Sequence, residues 1–182
     1  AHRDATAYTR MEIRNHFAGF NAHPLLYNKH LDIARWNAPD RGFHQLQHFY
    51  SDNNSCMRRS AWEQMPYPEV DYGEDQLWAY EAIKRGWSKL YCPNAVVYHS
   101  HDYGYDETLE RAEVEAWFFR KYFDYDLEVR DIPREHAHRI AAAERFGRAH
   151  NLPRDEIEQK KHNGLAQLEG WKLGKKRADA EE

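Results

Sequence analysis

Residues 72–101 constrain the fold most, because they predict a helix with a defined start, face and end. The apolar positions recur at helical spacing, at Leu77, Tyr80, Ile83 and Trp87. Asp71 is the predicted N-cap, with Glu74 three residues later as the second half of a capping box. Basic residues precede Gly86, which is typical of a helix end.

An extended run follows this helix. Residues 89–92 predict a short strand, residues 93–94 a turn, and residues 95–101 a second strand rich in β-branched side chains. Side chains alternate along a strand, so His99 and His101 are expected on one face.

Length and composition predict one domain with appendages. The chain has 182 residues, of which 41% are hydrophobic and 31% charged. Its aromatic content of 14% argues against disorder. The net charge of -4 gives no basic surface for nucleic acid, so we expect no nucleic-acid partner.

The cysteines and the hydropathy of the chain indicate where in the cell the protein is expected. Cys56 and Cys92 lie in apolar strand-like contexts, and we predict free, buried thiols of a reducing compartment. No apolar run approaches the length of about 18 residues that a membrane span needs. We expect a cytoplasmic protein. The lysines around Trp171 suit either a solvated face or peripheral association at the inner face of the membrane.

The remaining elements follow from periodicity and helix-end signals. A strand is predicted at 48–57, and a capping box of Ser60 and Glu63 at the start of a short helix. The last helix is polar almost all round, which is typical of an extension, a frayed tail or a homo-oligomer contact. The predicted helices cover residues 5–20, 24–36, 61–64, 106–124, 133–150 and 153–171.

Several of these features together resemble a known family. They are the Glu74-Asp75 pair, Gly86, the run Tyr91-x-Pro-x-Ala-Val-Val-x-His99, the His99-x-His101 end and the upstream Arg58-Arg59-x-x-Trp62-Glu63. They resemble the second half of the catalytic domain of family 2 glycosyltransferases, which have the GT-A fold, and especially the rhamnosyltransferase-like members. The likeness is best over residues 40–105.

The resemblance implies a helix-rich α/β fold: a partial GT-A-like mixed sheet, covering helices and a helical C-terminal tail. Residues 1–125 would form the acceptor-side half of the domain and residues 126–182 a helical extension. The family binds its nucleotide on an N-terminal half that ends in Asp-x-Asp. The only such motif here, at residues 124–126, follows the other motifs and is rejected. We therefore expect a piece of a longer protein that lacks its donor half and is inactive alone.

The resemblance also assigns roles to the two acids, and guanidinium chemistry suggests one for the two arginines. Asp75 would be the base that takes the proton of the acceptor hydroxyl. Glu74 would cap the helix or orient the acceptor. Arg58 and Arg59 would contact the donor diphosphate, since a guanidinium matches phosphate oxygens. The alternative is a purely structural role for these residues, as acids in a first helical turn and as surface arginines beside a helix start.

The same resemblance places a metal ligand at His99, with His101 as second choice. The metal would be Mn²⁺ or Mg²⁺, held weakly because the family's oxygen ligands are absent here. The alternative is a pair of ordinary strand histidines.

The function implied is inverting transfer of a sugar, with rhamnose as the family's suggestion, in polysaccharide biosynthesis. The donor would be a nucleotide-diphosphate sugar and the acceptor a polysaccharide or lipid-linked glycan. A non-enzymatic carbohydrate-binding or assembly module stays open. So does a small metal-dependent hydrolase that uses His99, His101 and a carboxylate.

Overall fold

The computed structural model describes residues 1–181 and is helix-rich, with 60% of the chain helical. The described part contains eight α-helices, two strands and a 3₁₀ turn at Asp52–Asn54. The helices are α1 (Ala7–Ala18), α2 (Ile33–Asn37), α3 (Arg41–His48), α4 (Arg59–Gln64), α5 (Glu74–Lys84), α6 (Tyr105–Phe123), α7 (Ile132–Ala149) and α8 (Arg154–Asp179). The strands are β1 (Leu25–Tyr27) and β2 (Lys89–Tyr91).

The chain divides into two compact units. The first consists of Ala1–Arg14 and the chain from Ser100 onward, and the second of Asn15–His99. Helices α6 and α8 lie together in the first unit. The predicted functional boundary between residues 125 and 126 stays a prediction.

The first unit is built on the packing of α6 along α8. The buried face of α8 consists almost wholly of small residues: Gly164, Ala166, Leu168, Gly170, Gly174 and Ala178. Without side chains at Gly170 and Gly174 the two backbones approach closely, since a Cβ on Gly170 would lie 2.5 Å from the Leu109 carbonyl oxygen. The predicted long helices are confirmed, and α8 continues two turns beyond residue 171. Its small-residue face packs against neighbouring helices, although its sequence looks polar all round.

The start of α1 joins the first unit through Tyr8. Its ring is buried and packs on Phe146, with 5.1 Å between the ring centroids. Its hydroxyl donates a hydrogen bond of 2.6 Å to the Ala143 carbonyl oxygen of α7. The predicted helix at residues 5–20 is confirmed as α1.

The second unit places α5 at its centre. Trp78, Ala79 and Ala82 of α5 form a core with Ala61 and Met65. The helix ends as predicted at Gly86, whose φ of 90° is easy only for glycine. Its start differs from the prediction: the N-cap is Gly73, also at positive φ, and the predicted Asp71 cap is wrong because the chain turns two residues later.

The sheet of the second unit is smaller than the sequence predicts. Strands β1 and β2 pair antiparallel, with Leu26 opposite Leu90. The predicted helix at 24–36 is therefore wrong in its first half, which forms β1. The Asp32 side chain starts α2 by accepting a hydrogen bond of 3.0 Å from the Arg35 N–H.

Two predicted strands are wrong. Residues 48–57 contain the end of α3 and the 3₁₀ turn, because Asp40 caps a helix that runs through His48. Residues 95–101 pair with no strand in the described chain, and Val96 and Tyr98 are 79% and 71% exposed. A β-branched run forms a strand only where a neighbouring strand accepts its hydrogen bonds. The prediction of buried thiols is also wrong, since Cys56 and Cys92 are both exposed.

Candidate functional site

The acid pair opens α5 as predicted. Gly73 turns the chain into the helix, and Glu74 and Asp75 occupy the first turn. The backbone N–H groups of a first helical turn favour carboxylates. The pair is therefore placed by local backbone geometry.

The carboxylate of Asp75 is partly buried and held by two backbone donors. Its Oδ1 accepts a hydrogen bond of 2.7 Å from the N–H of Gln76, and its Oδ2 one of 3.3 Å from the N–H of Asp52. Burial raises the pKa of Asp75 above its usual value, against the lowering effect of these donors. The Asp52 and Glu74 carboxylates raise it further. The net effect makes Asp75 a stronger base than a solvated aspartate.

An aromatic cluster lies beside these acids. The rings of Tyr50 and Tyr67 pack on Trp78, with centroid separations of 5.8 and 6.0 Å. The Trp78 indole N–H donates to the Met65 carbonyl oxygen over 2.5 Å, which fixes the ring. Burial raises the pKa of Tyr67 to about 12, and the nearby acids add to the shift. Burial also raises the pKa of Tyr50, so both phenols stay neutral beside Asp75.

The Asp52–Asn54 turn connects Asp75 to a second segment. The Asn54 side-chain amide donates a hydrogen bond of 2.6 Å to the carbonyl oxygen of Ala95. The sequence pattern predicts no role for Asp52 or Asn54. The signal was the Asp-Asn-Asn-Ser run itself, since these residue types favour turns that present side chains.

The two arginines lie at the start of α4 and are exposed. Arg58 precedes the helix, and the Arg59 guanidinium pairs with the Glu63 carboxylate at 2.8 Å while its side chain stays 89% exposed. The predicted capping box of Ser60 and Glu63 is wrong, because the helix begins at Arg59 and Glu63 bonds to that arginine. Contact of Arg58 and Arg59 with a diphosphate stays a prediction.

The two histidines are exposed and fall in different compact units. His99 ends the second unit, and His101 lies in the first. The His101 ring stacks on Tyr103 with 5.4 Å between the centroids. Within residues 1–181, no three His, Cys, Asp or Glu side chains are grouped to hold a metal ion. Metal binding by His99 or His101 stays a prediction.

A cavity of about 1090 Å³ lies within the first unit. Tyr8, His101, Asp102, Arg139 and Asn163 are among its lining residues. The Asp102 carboxylate accepts hydrogen bonds from the start of α1, and the Asn163 amide donates to the Tyr103 carbonyl oxygen over 2.7 Å. These bonds hold the start of α1 and the loop before α6 in place.

Comparison with protein-family models, with curated proteins and with solved structures finds no match for this chain. In the part of the chain that the structure describes, no helix has the length and apolar character to cross a membrane.

Proposed function

We propose that this chain is the acceptor-side part of an inverting glycosyltransferase of family 2, which acts together with a donor-binding half. The observation that carries the proposal is the Asp75 carboxylate. It lies in the first turn of α5, partly buried, oriented by two backbone N–H groups and made more basic by burial. A general base needs this combination of fixed orientation and raised proton affinity.

The proposed chemistry transfers one proton and exchanges one bond. The acceptor hydroxyl oxygen attacks the anomeric carbon of the donor sugar, while Asp75 takes the hydroxyl proton. The bond from the anomeric carbon to the diphosphate oxygen breaks, and the electron pair leaves with the nucleoside diphosphate. Attack from the face opposite the leaving group inverts the anomeric centre.

The other predicted residues have supporting roles in this proposal. The exposed guanidinium of Arg58 is available to the diphosphate, and that of Arg59 becomes available if its ion pair with Glu63 opens. Glu74 lies next to the base and can orient the acceptor. Rhamnose as the sugar, and a polysaccharide or lipid-linked glycan as the acceptor, belong to the proposal through the resemblance alone.

The described residues provide no complete metal site, so no step is assigned to a metal here. If His99 or His101 holds Mn²⁺ or Mg²⁺, oxygen ligands from the donor half would complete the site.

The experiment is sugar transfer by the native gene product that contains this chain. It is incubated with nucleotide-diphosphate sugars, beginning with the rhamnose donor, and with a lipid-linked glycan acceptor. We expect acceptor-dependent release of the nucleoside diphosphate and an inverted anomeric configuration by NMR. Retention of configuration, or no release with any donor although the acceptor binds, would contradict the proposal.

A binding or assembly module is the second candidate, and one observation favours it. The exposed face of the sheet carries Leu26 and Leu90, which are 47% and 57% exposed, and Val96 and Tyr98 are more exposed still. Apolar side chains at this exposure suit contact with another protein. Binding of a partner or glycan that survives Asp75→Asn, with no transfer by the native gene product, would support this reading.

A further inference from the structure

The Asp52–Asn54 turn touches two parts of the second unit that are far apart in sequence. The Asp52 N–H donates to the Asp75 carboxylate over 3.3 Å, and the Asn54 side chain donates to the Ala95 carbonyl oxygen over 2.6 Å. The turn therefore contacts both the candidate base and the segment that leads to His99.

We propose that this turn is the positioning element of the Asp75 site. The backbone N–H of Asp52 binds the Asp75 carboxylate, the side-chain charge of Asp52 repels it, and Asn54 anchors the segment ahead of His99. The inference rests on the proposed function, since it assigns positioning residues for the same base.

Asp52 acts on Asp75 in two opposite ways. Its N–H stabilises the carboxylate, whereas its own negative charge disfavours a second negative charge nearby. The other charged group that acts on Asp75 is Glu74, which also disfavours ionisation, while Tyr50 and Tyr67 are neutral. Burial contributes most to the raised pKa of Asp75, and the repulsion adds to it. The side-chain charge of Asp52 can be removed without loss of its N–H, so the two effects are separable.

Asn54 anchors a segment that forms no strand. Residues 95–98 are exposed and form no strand, so the backbone there lacks ladder hydrogen bonds. One side-chain hydrogen bond to Ala95 then restricts the segment considerably. His99 follows four residues later, and its position depends on this restriction.

The test uses three variants of the chain itself. The Asp75 side-chain carboxyl is titrated by ¹³C NMR in wild type, Asp52→Asn, Asp52→Glu and Asn54→Ala. We expect Asp52→Asn to move the Asp75 midpoint to lower pH, Asp52→Glu to restore most of the shift, and Asn54→Ala to leave it unchanged. The backbone ¹⁵N order parameters at residues 95–98 should fall below about 0.6 in Asn54→Ala, and stay at the wild-type values in Asp52→Asn.

An unchanged Asp75 midpoint in Asp52→Asn would overturn the inference, and so would unchanged order parameters at residues 95–98 in Asn54→Ala. Both substitutions are at exposed positions, and amide spectra report whether each variant stays folded. Neither readout involves sugar transfer. The predicted shifts combined with an absence of transfer would therefore reject the proposed function alone.

Discussion

Two alanine substitutions in α8 separate close backbone packing from helix propensity. Gly170 and Gly164 are both buried in this helix, and replacing either with alanine adds one methyl group. At Gly170 the new Cβ would lie 2.5 Å from the Leu109 carbonyl oxygen and 2.7 Å from the Ala112 Cβ. At Gly164 the nearest atoms belong to Arg139 at 3.7 Å, which is ordinary van der Waals contact.

The expected magnitudes follow from these distances. Ordinary contact begins at 3.4 Å, so α6 and α8 must separate by about 0.9 Å at Gly170, which forfeits a quarter to a half of the dispersion energy between facing atoms. Overpacking typically costs about 1 to 3 kcal/mol, and the clash with a backbone oxygen places Gly170→Ala at the upper end, about 3 kcal/mol. The higher helix propensity of alanine offsets about 1 kcal/mol, leaving a net loss of about 2 kcal/mol. Gly164→Ala should instead gain up to about 1 kcal/mol.

The assay is urea unfolding followed by circular dichroism at 222 nm on both variants and wild type. The first unit should unfold at lower urea in Gly170→Ala and at higher urea in Gly164→Ala. Shifts in the same direction and of similar size would refute the reasoning, because they would show that the α6 and α8 backbones are not in close contact.

Three further predictions concern the second unit. Burial lowers the pKa of His48 from 6.5 to about 4, so as pH falls the unfolded chain binds this proton before the folded one does. The free energy of unfolding should therefore decrease by about 3 kcal/mol between about pH 6.5 and about pH 4. His48→Phe should remove this slope in urea melts, whereas the non-titrating control Phe43→Leu should destabilise equally at every pH. Burial lowers the pKa of Lys89 from 10.5 to about 7, so the contribution of this side chain to stability falls as pH drops from about 10.5 to about 7. Lys89→Met should remove this pH dependence in the same melts, and it leaves three carbonyl oxygens at the end of α3 without their Lys89 donor. Gly86→Ala should lower the free energy of unfolding by about 1 kcal/mol, seen as a lower thermal midpoint, because a φ of 90° strains any residue that has a Cβ.

The sequence predicts the helices of this chain better than its strands. Helices α6, α7 and α8 have apolar periodicity and clear starting signals, which act locally. The run at residues 95–101 has strand composition but no neighbouring strand among the described residues, so propensity alone misleads. The sequence pattern predicts a strand from His48, whereas Asp40 caps a helix that ends at this residue.

The candidate site was only partly predictable. The sequence predicts Glu74 and Asp75 because acids in a first helical turn are a local feature. The contact of Asp52 with Asp75 joins residues 23 positions apart, and that of Asn54 with Ala95 joins residues 41 apart. Such contacts depend on how α5 packs in the second unit, which no local pattern encodes. By contrast, the small-residue face of α8 is visible in the sequence, where Gly170, Gly174 and Ala178 recur at a spacing of four.

The most direct measurement of the central claim is the transfer rate of the native gene product with Asp75→Asn, compared with Asp71→Asn. Both changes remove one carboxylate from the same region, but Asp71 is exposed and lies outside the helix. A general base contributes about 10²- to 10⁴-fold, so Asp75→Asn should lose at least about a hundredfold in kcat while Asp71→Asn stays near wild type. Equal rates for the two variants would contradict the assignment of Asp75 as the base.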